Sequence, residues 1–259
     1  MTNPSIRLPI EETLSESWKH VKGTKASYWA AYGITILIYI GFSLIDHFFI
    51  APFIAPEIQA EANHVQIDFH SFPIIINGIL SVIVSLFTFL LRIGILLIGI
   101  ENAKNQPISY KLMFQSLHFR TALRLISYTI IQLLVVIGLI FTAPFLSIPK
   151  SFLFANFPAL NAAVTALIYI VTFCLGIYFT TRLSLGYAFI LEKKSSLFSA
   201  IKLSFHATRC NVLRLIFLYF IIIIIMIVSI IPLGIGLIWT IPLYMNTYGM
   251  VYKKLTANN

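Results

Sequence analysis

Charge is what this sequence has least of. Asp, Glu, Lys and Arg make up 10% of its 259 residues, against about a quarter in an ordinary soluble domain. So little polar material cannot cover a folded surface in water. Acid is scarcer still, with nine Asp and Glu against eighteen Lys and Arg. These carboxylates are scattered, which leaves no convincing pair for hydrolysis and no acidic metal cage. Two cysteines, Cys174 and Cys210, are too few for a disulfide framework or a thiolate metal site. Cys174, inside an apolar run, is expected to be a small core residue. No G-x-S-x-G elbow, H-E-x-x-H, G-x-x-x-x-G-K-[S/T] loop or Rossmann glycine pattern occurs. The expectation is a protein without enzymatic activity, cofactor or metal.

A basic groove set with aromatic platforms is also missing, so the net charge of +9 does not point to nucleic acid. The first 27 residues carry Glu11, Glu12 and Glu16, too long and too acidic a stretch for the start of a cleaved signal peptide. "IQAEA" at 58–62 resembles a cleavage site only faintly, and the first apolar segment is expected to remain as an anchor.

What the chain has in abundance is hydrocarbon. Apolar types reach 59%, and mean hydropathy is +0.91. Several windows of about twenty residues hold at most one charge, the length a helix needs to span a bilayer core. Crossings are expected near 28–53, 72–100, 121–146 and 160–190. The stretch 212–252 is too long for one span, and "IPLGIG" at 231–236 should split it into 212–231 and 236–252, because Pro232 lacks an amide hydrogen and Gly234 and Gly236 relax the backbone. Lysine and arginine counts alternate along the connections. Arg7, Lys19, Lys22 and Lys25 precede the first span, and none lies in 54–71, which holds Glu57, Glu61 and Asp68. Lys104, Lys111 and Arg120 follow, then Lys150 alone, then Lys193, Lys194, Lys202 and Arg209, and finally Lys253 and Lys254. By the positive-inside rule, both termini belong in the cytoplasm.

Three polar stretches precede the odd-numbered spans: 10–23, with Leu14, Trp18 and Val21; 106–120, with Tyr110, Met113, Phe114 and Leu117; and 195–209, with Leu197, Phe198, Ile201 and Phe205. Their apolar residues recur at helical spacing, and Pro107 and Ser109, or Ser195 and Ser196, mark the starts. Too short and too polar to cross, each is expected to lie in the headgroup layer. The fold class expected is all-α: a polytopic integral membrane protein with six transmembrane helices, short interfacial amphipathic helices and a parallel internal repeat of helix pairs. Residues 1–27 form a cytoplasmic tail, and 28–255 a single domain.

The repeat is carried by "LRLI", at 123–126 and again at 213–216. An arginine stands 32 positions before each motif arginine, Arg92 before Arg124 and Arg182 before Arg214. Arg92 and Arg182 fall within spans, where a charge requires a partner, a wet cavity or a reach to the headgroups. All four arginines are therefore candidates for binding an anionic headgroup or solute. Asp46 and His47, near the outer end of the first span, are the one acid–imidazole pair at membrane depth and a weaker candidate for a proton relay; adjacent helical residues point in different directions. The last span, with Asn246, Thr247, Tyr244, Tyr248 and Tyr252, is the most polar and should face other helices.

From 182 to 220 the chain reads "RLSLGYAFILEKKSSLFSAIKLSFHATRCNVLRLIFLYF". Arg182, Leu191-Glu192, Ala200, Ser204, Arg209 and Asn211, with the turn at 232–236 and "YKKL" at 252–255, resemble the bacterial six-helix inner-membrane proteins of the YciC-like group, related to the membrane domain fused to some glycerophosphodiester phosphodiesterases. Cys210 departs from the glycine common there. The resemblance implies a bacterial inner-membrane protein concerned with envelope maintenance and assigns no residue a task. The expected partners are membrane lipids, above all anionic inner-leaflet headgroups, together with a membrane protein or a second copy of the chain. Two functions are expected: membrane or envelope organisation, or alternatively transport or lipid handling through a cavity lined by Arg92 and Arg182.

Overall fold

A computed structural model describes residues 7–50, 72–153, 156–193 and 195–256. The acidic stretch 54–71 and Lys194 lie outside them. Among the described residues every element is helical. Helix α1 (Ile10–Ile45) runs into a π turn, Asp46–Ile50. Helix α2 (Phe72–Ala103), a 3-10 helix (Tyr110–Leu117), α3 (Phe119–Leu153), α4 (Pro158–Leu183), α5 (Gly186–Lys193), α6 (Leu197–Thr208), α7 (Val212–Ile230) and α8 (Leu237–Thr256) follow. Five stretches are long and apolar enough to cross a membrane: Ile10–Phe49, Ile75–Ala103, Phe119–Leu146, Pro158–Glu192 and Val212–Ile230. The sixth expected span, α8, carries Asn246, Thr247, Lys253 and Lys254 and is not among them.

Several local expectations change. The stretch 10–23 is no separate interfacial helix, because α1 is continuous for 36 residues and no proline interrupts it. The stretch 106–120 folds as a 3-10 helix starting after Ser109, whose hydroxyl accepts from the Lys111 amide. One face packs on α2: Met113 and Ser116 are buried, and a Cβ at Gly94 would overlap the Met113 carbonyl, while Tyr110 and Phe114 of the expected stripe stay exposed. The fourth span is interrupted at Ser184 and Leu185. Cys174 is exposed rather than in the core. Helix α6 forms where expected, with Phe198 outward and Ala200, Ser204 and Thr208 inward. Small inward residues let it approach its neighbours closely.

Side-chain burial is confined to one end of the bundle, the end holding the basic connections. On α1 it ceases after Thr35, on α2 it begins at Thr88, and on α4 it begins at Thr181; on α3 it ends at Tyr128 apart from Ala143. Beyond those levels the apolar side chains of α1–α4 point outward, among them Leu37, Phe49, Val82, Leu134, Phe145 and Phe173. Such surface is tolerable only in lipid. At the packed end α1, α2 and α8 form one group and α3 with α4 another; α2 and α3 barely touch, and α5, the 3-10 helix and α7 link the groups. The closest approach is between α2 and α8, where a Cβ on Gly249 would overlap the Gly99 carbonyl and one on Gly99 the Met245 carbonyl.

The inward positions of α1 share one spacing with those of α6 and α7. Thr13, Ser17, Val21, Thr24, Tyr28, Ala31 and Thr35 are buried, and so, each 187 positions later, are Ala200, Ser204, Thr208, Asn211, Leu215, Leu218 and Ile222. The same spacing of inward positions thus runs along one unbroken helix, α1, and across two, α6 and α7.

Candidate functional site

The interruption between α4 and α5 organises the interior. Three successive carbonyls there accept side-chain hydroxyls from three different elements. Ser204 of α6 donates to the Arg182 carbonyl at 2.7 Å, Tyr128 of α3 to Leu183 at 2.6 Å, and Tyr248 of α8 to Ser184 at 2.9 Å. Buried backbone groups need partners, and here side chains supply what the next helical turn would have given. Gly186 belongs to the same joint: a Cβ on it would collide with the Tyr128 ring. Tyr187 donates to Gln132 at 2.8 Å and packs edge-on against Tyr128, completing the tie to α3.

Arg182 sits at this joint. Its guanidinium carbon lies 4.7 Å from the Phe205 ring centre and 5.8 Å from that of Tyr178. Its Nε and Nη1 are buried, and neither has a hydrogen-bond acceptor among the described residues. A guanidinium presents five donors and keeps its charge. Aromatic faces offset part of the cost of burying it but accept no strong hydrogen bond. The arrangement suits an oxyanion, which would supply both charge and acceptors.

Arg92 does not share this setting. It is exposed on α2, beside Tyr32 of α1, whereas Arg182 is held by residues of α4 and α6. The two arginines are not brought into one pocket. Measured against known proteins, the chain matches no family model, no curated protein and no solved structure. Its chemistry has to be read from its own geometry.

The motif arginines act on backbone. Arg124 Nη1 donates to the Ser195 carbonyl at 3.4 Å, just ahead of α6. Arg214 Nη1 donates to the Leu8 carbonyl at 2.8 Å, just ahead of α1. Leu8 is gripped twice, since its amide donates to Asn211 Oδ1 at 2.8 Å. Each "LRLI" arginine thus fastens the chain just ahead of another helix, α6 or α1, which gives the motif a structural task. Among the described residues Asp46 and His47 make no hydrogen bond to each other: one Asp46 carboxylate oxygen is buried without a partner there, and His47 stacks edge-on against Phe48.

One polar network was not foreseen as a unit. Asn246 Oδ1 accepts from Tyr28 at 2.9 Å and from Asn102 at 3.1 Å, while its Nδ2 donates to Thr24 at 3.1 Å. Thr24 donates onward to the His20 carbonyl at 3.0 Å, and His20 Nδ1 lies 3.3 Å from Asn102 Oδ1. Tyr28, Thr24 and Asn246 are fully buried. The helical spacing of Thr24 and Tyr28, four apart on α1, was the available signal. These bonds lock α1, α2 and α8 together through Asn246. Among the described residues no group of His, Cys, Asp and Glu could hold a metal ion.

Proposed function

We propose that this protein is a non-enzymatic, multi-pass component of a bacterial cytoplasmic membrane that organises membrane or envelope through anionic inner-leaflet lipid. The observation that carries the reading is Arg182, whose buried Nε and Nη1 have no acceptor among the described residues at a joint where three carbonyls are already capped. A lipid phosphate would bring Arg182 the counter-charge and the acceptors that its aromatic neighbours do not supply, and α6, with Phe198 outward, packs against α4 beside the joint as an interfacial helix would. Further basic residues lie on and after α6, at Lys202 and Arg209, and on α1, at Lys19, Lys22 and Lys25.

The layout that goes with this reading is six membrane-embedded helices in three out-and-back pairs, α1–α2, α3–α4 and α7–α8, with both termini cytoplasmic. It is supported by the basic alternation along the chain and by the shared inward spacing of the first and third units. Membership of the YciC-like group is proposed with it, on the residues quoted from 182 to 255.

The test uses purified protein in vesicles of phosphatidylglycerol or phosphatidylcholine, with thermal unfolding as the readout. The wild-type chain and R92Q should gain stability from phosphatidylglycerol, and R182Q should lose that gain. An undiminished gain in R182Q overturns the reading. Inorganic phosphate added to detergent-solubilised protein separates a free anion from a headgroup. A second reading, lipid handling or transport, is favoured by the separation of the outer halves of α1–α2 and α3–α4. Its test is movement of fluorescent phospholipid between leaflets in the same vesicles, which R182Q should abolish.

A further inference from the structure

The pairing of α8 with α1 fixes how far the α7–α8 hairpin reaches. The two helices run antiparallel. Lys254 Nζ meets Glu12 at 2.9 Å and Glu16 at 2.8 Å, Asn246 meets Thr24 and Tyr28, and Trp29 Nε1 donates to the Ile238 carbonyl at 3.2 Å. Lys25 lies over the Trp239 ring at 4.5 Å. The first turn of α8 therefore stands beside residues near the start of the apolar part of α1. Helix α1 and its π turn continue to Ile50. At 1.5 Å per residue, the α7–α8 turn stops on the order of 20 Å short of that end. Helix α2 agrees: its burial begins at Thr88, and its residues 75–87, which project past the start of α8, include no buried side chain.

The turn itself is built for hydrocarbon. Residues 231–236 are Ile, Pro, Leu, Gly, Ile and Gly, without a polar side chain. Ile231 is 78% and Leu233 95% exposed. A loop leaving the membrane would present such residues to water. Its backbone is closed on itself: the amides of Ile231, Leu233, Gly234, Ile235, Leu237, Ile238, Trp239 and Thr240 all donate to nearby carbonyls, and Pro232 has none to donate. Gly234 at φ 78° and Leu233 at φ 53° make the reversal. Unpaired backbone is what bars loops from lipid, and this turn has very little.

We propose that α7–α8 is a re-entrant hairpin, entering from the basic side and returning to it, with the Ile231–Leu233–Ile235 tip among acyl chains inside the bilayer. The partner of this surface is lipid hydrocarbon of the far leaflet, which fills the space above the tip between the outer halves of α1–α2 and α3–α4. The positive-inside pattern is unaffected, because a hairpin that enters and returns leaves Arg209 and Lys254 on one side, as two full crossings would. The inference rests on the membrane reading and not on the headgroup at Arg182.

The experiment introduces single cysteines into the full chain with Cys174 and Cys210 replaced by serine, and labels right-side-out proteoliposomes with a membrane-impermeant maleimide. H47C should label from outside and H118C only after permeabilisation; if both label from the same side, the membrane reading fails and the hairpin with it. With those two in place, L233C and I235C should label from neither side, at least about tenfold more slowly than H47C. A bimane attached at I235C should be quenched more by lipids brominated near the chain end than near the headgroup. Labelling of L233C and I235C from outside at the H47C rate, or headgroup-level quenching, overturns the proposal. Two positions guard against a local effect at one.

Discussion

Removing single hydroxyls from the α4–α5 joint tests whether that joint is held by its three side-chain caps. Tyr128→Phe keeps the ring against Gly186 and deletes only the donor to Leu183, leaving a buried carbonyl without its partner. Tyr128 is 1% exposed and its bond is 2.6 Å long, so water cannot readily replace it. An unsatisfied buried polar group costs about 1–3 kcal/mol in soluble cores, whereas hydrogen bonds between membrane helices average about 0.6 and reach about 1.7 kcal/mol. Tyr128 is fully buried at the joint, which places the expected loss at about 1–1.5 kcal/mol. Tyr248→Phe, acting on the neighbouring carbonyl, should cost a similar amount, and the pair should sum to about 2–3 kcal/mol unless adjacent carbonyls relax together. For a chain of this size, each kcal/mol lowers the melting temperature by roughly 2–4 °C. The assay is thermal unfolding in lipid nanodiscs, with Tyr169→Phe, half-exposed on the outer half of α4, as the neutral control. If Y128F and Y248F both fall within about 0.3 kcal/mol of the parent, a threshold set by those same hydrogen-bond values, the caps do not hold the joint.

Two further outcomes are expected. Gly249→Ala places a methyl against the Gly99 carbonyl and should cost about 1–3 kcal/mol through forced separation of α2 and α8, whereas Gly78→Ala, with open space around it, should be neutral or slightly stabilising in the same melt. Glu16 has its carboxyl held below the usual range, chiefly by its hydrogen bond from Lys254 and against a smaller opposing effect of burial. A lowered folded-state value means that this contribution is complete above the ordinary value of 4.5 and disappears as pH falls through the folded-state value. Glu16→Gln should therefore lower stability near neutral pH by about 1 kcal/mol or less and converge with the parent in acid, as pH-dependent melting will show.

The parts of this fold legible in the sequence are those set by solvent and chain stiffness. Charge-free runs located the long helices, and Pro232 with Gly234 located the α7–α8 turn to the residue. The polarity of Asn246, Thr247 and Tyr248 correctly turned that face of α8 inward. What sequence could not give is what depends on a partner distant along the chain. Nothing around Ser184 stops a helix by itself; the joint exists because Tyr128, Tyr248 and Ser204 arrive from three other elements. Ser17 and Ser204 hold equivalent buried positions, yet the first sits in an unbroken helix and the second beside a broken one. The arginines show the same limit. Four looked alike as cations in or near lipid, but Arg124 and Arg214 grip carbonyls, Arg92 is exposed, and Arg182 alone is held with buried donors unmatched. Likewise 10–23 has the period of an interfacial helix, and only the lack of any stop signal before residue 45 shows that it runs on.

The grip on Leu8 has a consequence for biogenesis. Its two holders, Asn211 and Arg214, are more than two hundred residues downstream, and the hydroxyls of Thr24 and Tyr28 wait as long for Asn246. A ribosome therefore adds more than two hundred residues after Leu8 before Leu8 finds its place. Until then the Tyr28 hydroxyl lacks the acceptor that Asn246 supplies, so α1 is least firmly held in the interval between its own synthesis and the emergence of α8.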